Sequence, residues 1–403
     1  MQNVTTKEFA GKKILIIVEN LPSPFDRRVW QEANALRDAG ATVSIICPKG
    51  KGYGKKFEII DGIAIYRHGL PKEADGALGY LMEYGTALFW EFVLSVKVLF
   101  TRGFDVIHAC NPPDLIYLVA RPFKVLGKKF LFDHHDINPE LYLAKFNRKD
   151  FLYRRMLYFE RKTFHCAAVS IATNESYKKI AIERGGKSPE DVFVVRSGPS
   201  LERLKKVEPV PELRHGRKHM VGYVGVIGKQ EGLNYLVDAV EHIVKDLSRQ
   251  DVHFICVGSG TELQNIIDYA KERAVSDYFT FTGRVPDKEL LEALNTSDIC
   301  VNPDEYNEMN DKSTMNKVME CMALGLPIVQ FDLTEGRFSA EEASFYAKPN
   351  DSVDLGEKIL QLLDDDEKRK EMGEYGYNRV KNVLEWEYEK ENLYKAYRRL
   401  FSK

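Results

Sequence analysis

Apolar runs of strand length alternate with helical spacing along the chain, and the alternation occurs twice. In the first half, the runs at 14–18, 43–47, 106–109, 130–132, 169–172 and 192–195 predict strands. A hairpin is expected at 59–65, where Asp61 and Gly62 separate two apolar stretches. The second series follows a polar, proline-containing stretch at 205–219, read as a linker, and places strands at 221–226, 252–257, 279–282, 299–301 and 328–331. Between them lie segments such as 233–247, whose Leu233, Leu236, Val237, Val240, Ile243, Val244 and Leu247 recur at helical spacing. Such alternation builds mostly parallel, doubly wound sheets. The chain is therefore expected to form two Rossmann-like α/β domains facing each other across a cleft, at 1–204 and 205–379, with a helix at 380–403 packing back on the first. Open sheets collect ligands at the carboxyl ends of their strands, so the loops there are where chemistry is sought.

The segment 313–327 predicts a helix with two unlike faces. Met315, Val318, Met319 and Met322 fall at i, i+3, i+4 and i+7 and bury one side, while Ser313, Asn316, Lys317 and Glu320 line the other. Ser313 or Thr314 can cap the start, and Gly325 with Pro327 ends the helix before a strand. A helix start carrying a hydroxyl and a lysine attracts phosphate, and a carboxylate further along suits sugar hydroxyls. The same residues also fit an ordinary surface helix with a Lys317–Glu320 pair.

Composition narrows the classes. A chain of 403 residues with 44% hydrophobic content supports about two cores, and a formal charge of -2 gives no general affinity for nucleic acid. Six scattered cysteines without a CxxC pair read as reduced core residues. The N-terminus shows no apolar leader, and no run of 18 uninterrupted apolar residues occurs, so a cytoplasmic protein is expected.

Among the strand-end loops, Gly225, Gly228 and Gly232 surround Lys229 and resemble a phosphate cradle, although the P-loop pattern is absent. Gly258-Ser259-Gly260 and Gly283-Arg284-Val285-Pro286 are further turns at the same sheet edge. The loop after the first strand, 19–26, lacks the glycines of a dinucleotide site, which argues against a nicotinamide dehydrogenase. The loop 133–140 gathers His134, His135 and several carboxylates, open to acid/base work, sugar binding or a metal; metal is the least favoured, because adjacent histidines at a strand end point to opposite sides. The acidic run 364–366 reads as a solvated face.

These residues carry a resemblance. Glu320-Cys321-Met322-Ala323-Leu324-Gly325-Leu326-Pro327-Ile328-Val329 resembles the E-A-M-A-x-G-x-P-V-V block of glycosyltransferase family 4, whose members are retaining enzymes of the GT-B fold. Val257-Gly258-Ser259-Gly260, Phe281-Thr282-Gly283-Arg284-Val285, Ser197-Gly198-Pro199 and His135-Asp136 follow in the family's order, and the segment 19–33 resembles members that build bacterial surface polysaccharides. The resemblance implies transfer of a sugar from a nucleotide-diphosphate sugar, a UDP-sugar favoured over a GDP-sugar, to a glycan or polyprenyl-diphosphate-linked acceptor. It implies that Glu320 holds ribose hydroxyls and that the turn at Gly225 and Gly228 lies against the diphosphate; Gly258, Arg284, Val285, Asn310, Asp311, Ser313 and Thr314 are taken to complete the donor side. From its place at the carboxyl end of a strand, His135 is expected to contact the transferred sugar or its acceptor, with Asp136 holding nearby polar groups. Pro24, Phe25, Asp26, Arg27 and Glu140 would lie toward the acceptor. No cofactor or metal is required.

Two positions depart from the family pattern. Val226 stands where an arginine is usual, so Lys229 and Lys317 are taken as the diphosphate's cations, and Lys312 replaces the first acid of the E-x7-E pattern, leaving Asn310, Asp311 or Glu308 to contact the sugar. Besides retaining transfer, an epimerase or hydrolase of the same fold and a nucleotide-sugar-binding scaffold without turnover remain open. The aromatic stretch 77–101 and the basic, aromatic stretch 145–162 suggest contact with an anionic membrane surface, or else core helices with solvated outer faces.

Overall fold

The structure is a computed structural model that describes residues 7–69 and 77–403, with side chains left out at 77–81 and 83. The N-terminal residues read as free of a leader, and the side chain of Tyr80, lie outside the described residues. Residues up to Ser197 together with Glu389–Lys403 form one compact unit, and Gly198–Tyr388 forms the other.

Among the described residues, the first unit is built on eight strands: β1 Lys13–Ile17, β2 Thr42–Pro48, β3 Phe57–Ile60, β4 Ile63–His68, β5 Val106–Cys110, β6 Lys129–His134, β7 Val169–Ala172 and β8 Val192–Val194. They lie in the order β3-β4-β2-β1-β5-β6-β7-β8. All neighbours are parallel except β3 and β4, which form the expected hairpin with Ile60 opposite Ile63. Its turn uses Asp61 and Gly62, both with positive φ, the backbone a tight two-residue hairpin requires. The central strands β1, β2 and β5 are buried almost end to end, because helices cover both faces of a parallel sheet.

The second unit has six strands, β9 His219–Val224, β10 Val252–Val257, β11 Phe279–Gly283, β12 Ile299–Asn302, β13 Ile328–Phe331 and β14 Ser344–Ala347, in the order β11-β10-β9-β12-β13-β14. Every pairing is parallel. Strand β14 has no counterpart among the predicted runs. It is a short edge strand with two half-buried residues, so its apolar signal is weak.

Two expectations are corrected. The polar stretch read as a linker is tied to the second sheet: the Val210 amide donates to Thr296 Oγ1, and Arg214 forks onto Asp298. Six reduced cysteines were expected, but Cys300 of β12 and Cys321 are joined as a disulfide. Their Cα atoms, 6.4 Å apart, sit where strand and helix pack face to face, within disulfide reach. Cys47, Cys110, Cys166 and Cys256 are free.

Candidate active site

In the second unit, the turns after β9, β10 and β11 are stitched into one surface. The Gly225 amide donates to the Val257 carbonyl, Ile227 to Ser259, and Gly258 to Gly283. The fit demands glycine at one point above all: a Cβ on Gly258, at φ 150°, would lie 1.8 Å from the Gly225 carbonyl oxygen. Packed backbone of this kind leaves room for an anion to approach closely.

The helix predicted from 313 begins at Asn316 and ends at Ala323. Its N-cap residue is Met315, which makes no side-chain cap. Ser313 instead closes the preceding short helix, Glu308–Lys312, with its Oγ on the Met309 carbonyl, so the N-cap position falls on neither Ser313 nor Thr314. The end follows the sequence: Leu326 N–H reaches the Cys321 carbonyl, Gly325 N–H the Met322 carbonyl, and Gly325 has φ 73°, a Schellman termination. Val318, Met319 and Met322 are buried and Met315 packs against the same core.

Lys317 reaches from this helix to Asp304 Oδ1 at 2.6 Å, its Nζ 5.1 Å from the Tyr223 ring centre and its Cδ close to Gly225. Burial pushes the Asp304 carboxyl up, against the pull of Lys317. Glu231 accepts from the Gly228 amide at 3.1 Å; burial raises its carboxyl too, with Lys317 drawing it down. Lys317 therefore stands among acceptors at the glycine turns. Glu320 is half-buried and accepts from Arg203 at 2.9 Å. Asp304, Glu231 and Arg203 were not singled out from the sequence. Arg203 could not be, since it lies 117 residues from Glu320.

The residues proposed to orient the sugar are engaged locally. Asn310 Nδ2 donates to the Gln230 and Glu305 carbonyls, and Asp311 accepts from the Thr334 amide and hydroxyl at a helix start. Lys312 pairs with Glu308 at 2.6 Å. Lys229, Arg284 and Val226 are exposed, and Val285 packs against the apolar cluster of Met220 and Ile255. In the acidic run, Asp364 pairs with Arg249 on an exposed surface.

Two family models account for most of the chain: "Glycosyltransferase Family 4" matches residues 26–203 and "Glycosyl transferases group 1" matches residues 205–379. The chain belongs to glycosyltransferase family 4. It is similar to the capsular polysaccharide biosynthesis glycosyltransferase CapM of Staphylococcus aureus, 27% identical over 62% of this chain and 67% of that one. The matched regions span between 41% and 67% of the length of the curated relatives. Among solved structures, sucrose-phosphate synthase from Thermosynechococcus elongatus superposes with a TM-score of 0.79 at 19% identity, covering 97% of this chain and 99% of that one. Anabaena HepE, in complex with UDP and glucose, gives 0.73 at 16% identity over 96% and 99%. The fold is GT-B.

In the first unit of this family member, His135 follows β6 and lies with Nε2 against Asp133 Oδ2, and Arg28 Nε stands 2.9 Å from the same nitrogen. Arg28 also pairs with the other Asp133 oxygen and with Glu32. Burial works against the Asp133 anion, but Arg28 and His135 outweigh it and hold the carboxyl well below the usual range. Burial, and then the Asp133 charge, push Glu32 up. The loop is clamped by Asn111, whose Oδ1 accepts from the His135 and Asp136 amides and whose Nδ2 donates to the Asp136 carbonyl. Burial raises the Asp136 carboxyl, with His135 opposing. His134 is fully buried, among the rings of Phe164 and Tyr177 and 3.5 Å from Glu160. The two imidazoles thus point apart, as strand geometry requires.

The acceptor-side residues are arranged differently from one another. Pro24 and Phe25 are half-buried, Arg27 is exposed, and Asp26 caps the helix Arg27–Asp38 through the Val29 amide. Glu140 is buried, with both oxygens on Arg184, a structural pair rather than an open recognition group. His108, Cys110 and Asp133 bring ligand atoms within 4.8 Å of one another, the one such group among the described residues. Arg28 already supplies the positive charge there, so the cluster is neutralised by the protein itself.

Proposed function

We propose that this protein is a retaining glycosyltransferase that moves a hexose from a nucleoside-diphosphate sugar, a UDP-sugar rather than a GDP-sugar, to a glycan or polyprenyl-diphosphate-linked acceptor in surface-polysaccharide synthesis on the cytoplasmic side. The observation that carries the reading is Lys317, held by Asp304 over the glycine turns with Glu320 one turn further along the same helix. The spacing fits a diphosphate at the lysine and a ribose at the carboxylate. Kinship to a capsular polysaccharide glycosyltransferase supports the pathway, and UDP in the HepE complex supports the base.

As the bond from the anomeric carbon to the diphosphate breaks, negative charge grows on the departing oxygen. Lys317, Lys229 and the positive end of the Asn316–Ala323 helix would stabilise it. The acceptor hydroxyl attacks the anomeric carbon from the same face, and its proton passes to a diphosphate oxygen. In that scheme no protein base is needed, and His135 positions the sugar.

A second reading, nucleotide-sugar binding without turnover, draws on one observation: Val226 is 61% exposed at the turn and Lys312 is held by Glu308, so two residues the family uses at the donor are replaced here. Incubating the protein with nucleotide sugars, with and without a polyprenyl-linked acceptor, separates the readings. Transfer must require acceptor. Lys317→Ala and Lys229→Ala should then lower turnover more than nucleotide affinity, because they act on charge that develops in the transition state. Binding without product under any donor would establish the second reading instead.

A further inference from the structure

The Ala77–Thr101 helix of the first unit carries its more apolar side outward. Its buried stripe, at i, i+4, i+8 and i+11, is Ala87, Glu91, Ser95 and Val98. The opposite stripe is Met82, Phe89, Val93 and Phe100, with Phe89 59% and Phe100 83% exposed, and Trp90 and Phe92 flank it. A helix that serves only a soluble core places these residue types the other way round. The stretch Tyr84–Thr101 is apolar enough by composition and length to cross a membrane, yet only 22% of it is buried. It does not stand free to do so: it packs along β2 and β4, with the fully buried Glu91 on its inner stripe.

The apolar surface continues onto neighbouring helices. Phe92 meets Phe123 of the helix Tyr117–Val125, ring centres 5.7 Å apart, and that helix in turn packs beside Phe151–Cys166. On these two helices Leu118, Val125, Phe151 and Tyr158 are exposed, interleaved with exposed Arg121, Lys124, Arg154, Arg155, Arg161 and Lys162. Arg155 lies over the Phe151 ring and Lys162 over the Tyr158 ring, so cation and aromatic share one stripe. Every aspartate and glutamate from residue 84 to 166 is buried or half-buried. The chain as a whole is slightly acidic, at -2, so this outward face is a local concentration of positive charge beside aromatic surface.

We infer that this row of helices docks on an anionic phospholipid bilayer, with the outer stripe of Ala77–Thr101 entering the headgroup layer and the arginines and lysines meeting the lipid phosphates. Apolar area and basic charge together are what an interfacial helix needs, and the packing against the sheet makes this surface lie on the bilayer rather than span it. The inference rests on the proposed function for its purpose, delivery of the enzyme to a lipid-linked acceptor, but not for its test.

The full chain is sedimented with vesicles of phosphatidylcholine alone and of phosphatidylcholine mixed with phosphatidylglycerol, at low salt and at ~1 M salt, where screening shortens the Debye length to ~3 Å. Binding is expected to the mixed vesicles at low salt, with at least a tenfold preference over the neutral ones. The double change Arg154→Glu and Arg155→Glu should weaken it about 25-fold or more, at about fivefold per basic group. Phe89→Ser with Phe100→Ser should weaken binding while leaving the unfolding transition cooperative, and sedimentation velocity reports whether the chain is monomeric. Equal binding to both vesicle types, no binding, or a dimer that dissociates on Phe89→Ser with Phe100→Ser would overturn the inference. No donor or turnover enters the readout, so the failure of glycosyl transfer and the failure of docking are separate results.

Discussion

Glu91 and Lys317 show how one side chain's surroundings can be read as chemistry. Lys317 has a carboxylate, an aromatic face and the Gly225 turn within reach, so its charge is held ready rather than exposed to water. Glu91 has the opposite surroundings. It is fully buried, and that burial, with Glu19 nearby, pushes its carboxyl up to about 8. The folded chain therefore keeps a proton that the unfolded chain loses at about 4.3. Stability contributed by this group falls as pH rises from there to about 8 and levels off above, at most on the order of 1.4 kcal/mol per pH unit. Glu91→Gln is neutral throughout, so the variant should gain on the wild type as pH rises through that window. Urea unfolding of both proteins from acid to mildly alkaline pH measures it, and a difference independent of pH would contradict the burial of an ionisable group there.

At the scale of elements, the loops were legible where the sequence carried local patterns and opaque where they depend on distant partners. The end of the Asn316–Ala323 helix was readable from Gly325 and Pro327, because a Schellman turn is written in neighbouring residues. Its start was misread: a hydroxyl before a helix can equally close the previous one, and Ser313 does so. Arg27 was expected toward the acceptor; its neighbour Arg28, not singled out, is the one that reaches Asp133 and His135, partnerships made across 105 and 107 residues. The loop after β6 yields a prediction. His135 is partly exposed and fixed by Asn111 and Asp133, whereas His134 is enclosed by rings. In steady-state kinetics His135→Ala should lower kcat strongly while nucleotide affinity changes by no more than a few-fold, and His134→Ala should act mainly through stability. The reverse pattern would assign the functional role to His134.

For the whole molecule, the period of the apolar pattern carried the architecture: eleven runs foresaw strands, and the two parallel sheets follow from their alternation with helices. What the pattern could not show was pairing across it. The Cys300–Cys321 disulfide, the Glu320–Arg203 contact and the attachment of 198–218 to the second unit all join residues whose spacing has no local signature. Glycosyltransferase family 4 thus appears here with the Asn316–Ala323 helix pinned to β12 by sulfur and its Glu320 carboxylate paired with an arginine. The central claim is that this helix face binds the nucleotide. Its most direct test is calorimetric titration of UDP into the wild type and Glu320→Ala, because Met315, Val318, Met319 and Met322 carry the helix packing and are untouched. Two charge-assisted hydrogen bonds to ribose, at roughly 1.5–3 kcal/mol each, predict at least a tenfold loss of affinity in a folded variant. Unchanged UDP affinity in folded Glu320→Ala would contradict the claim and return the helix to an ordinary surface element.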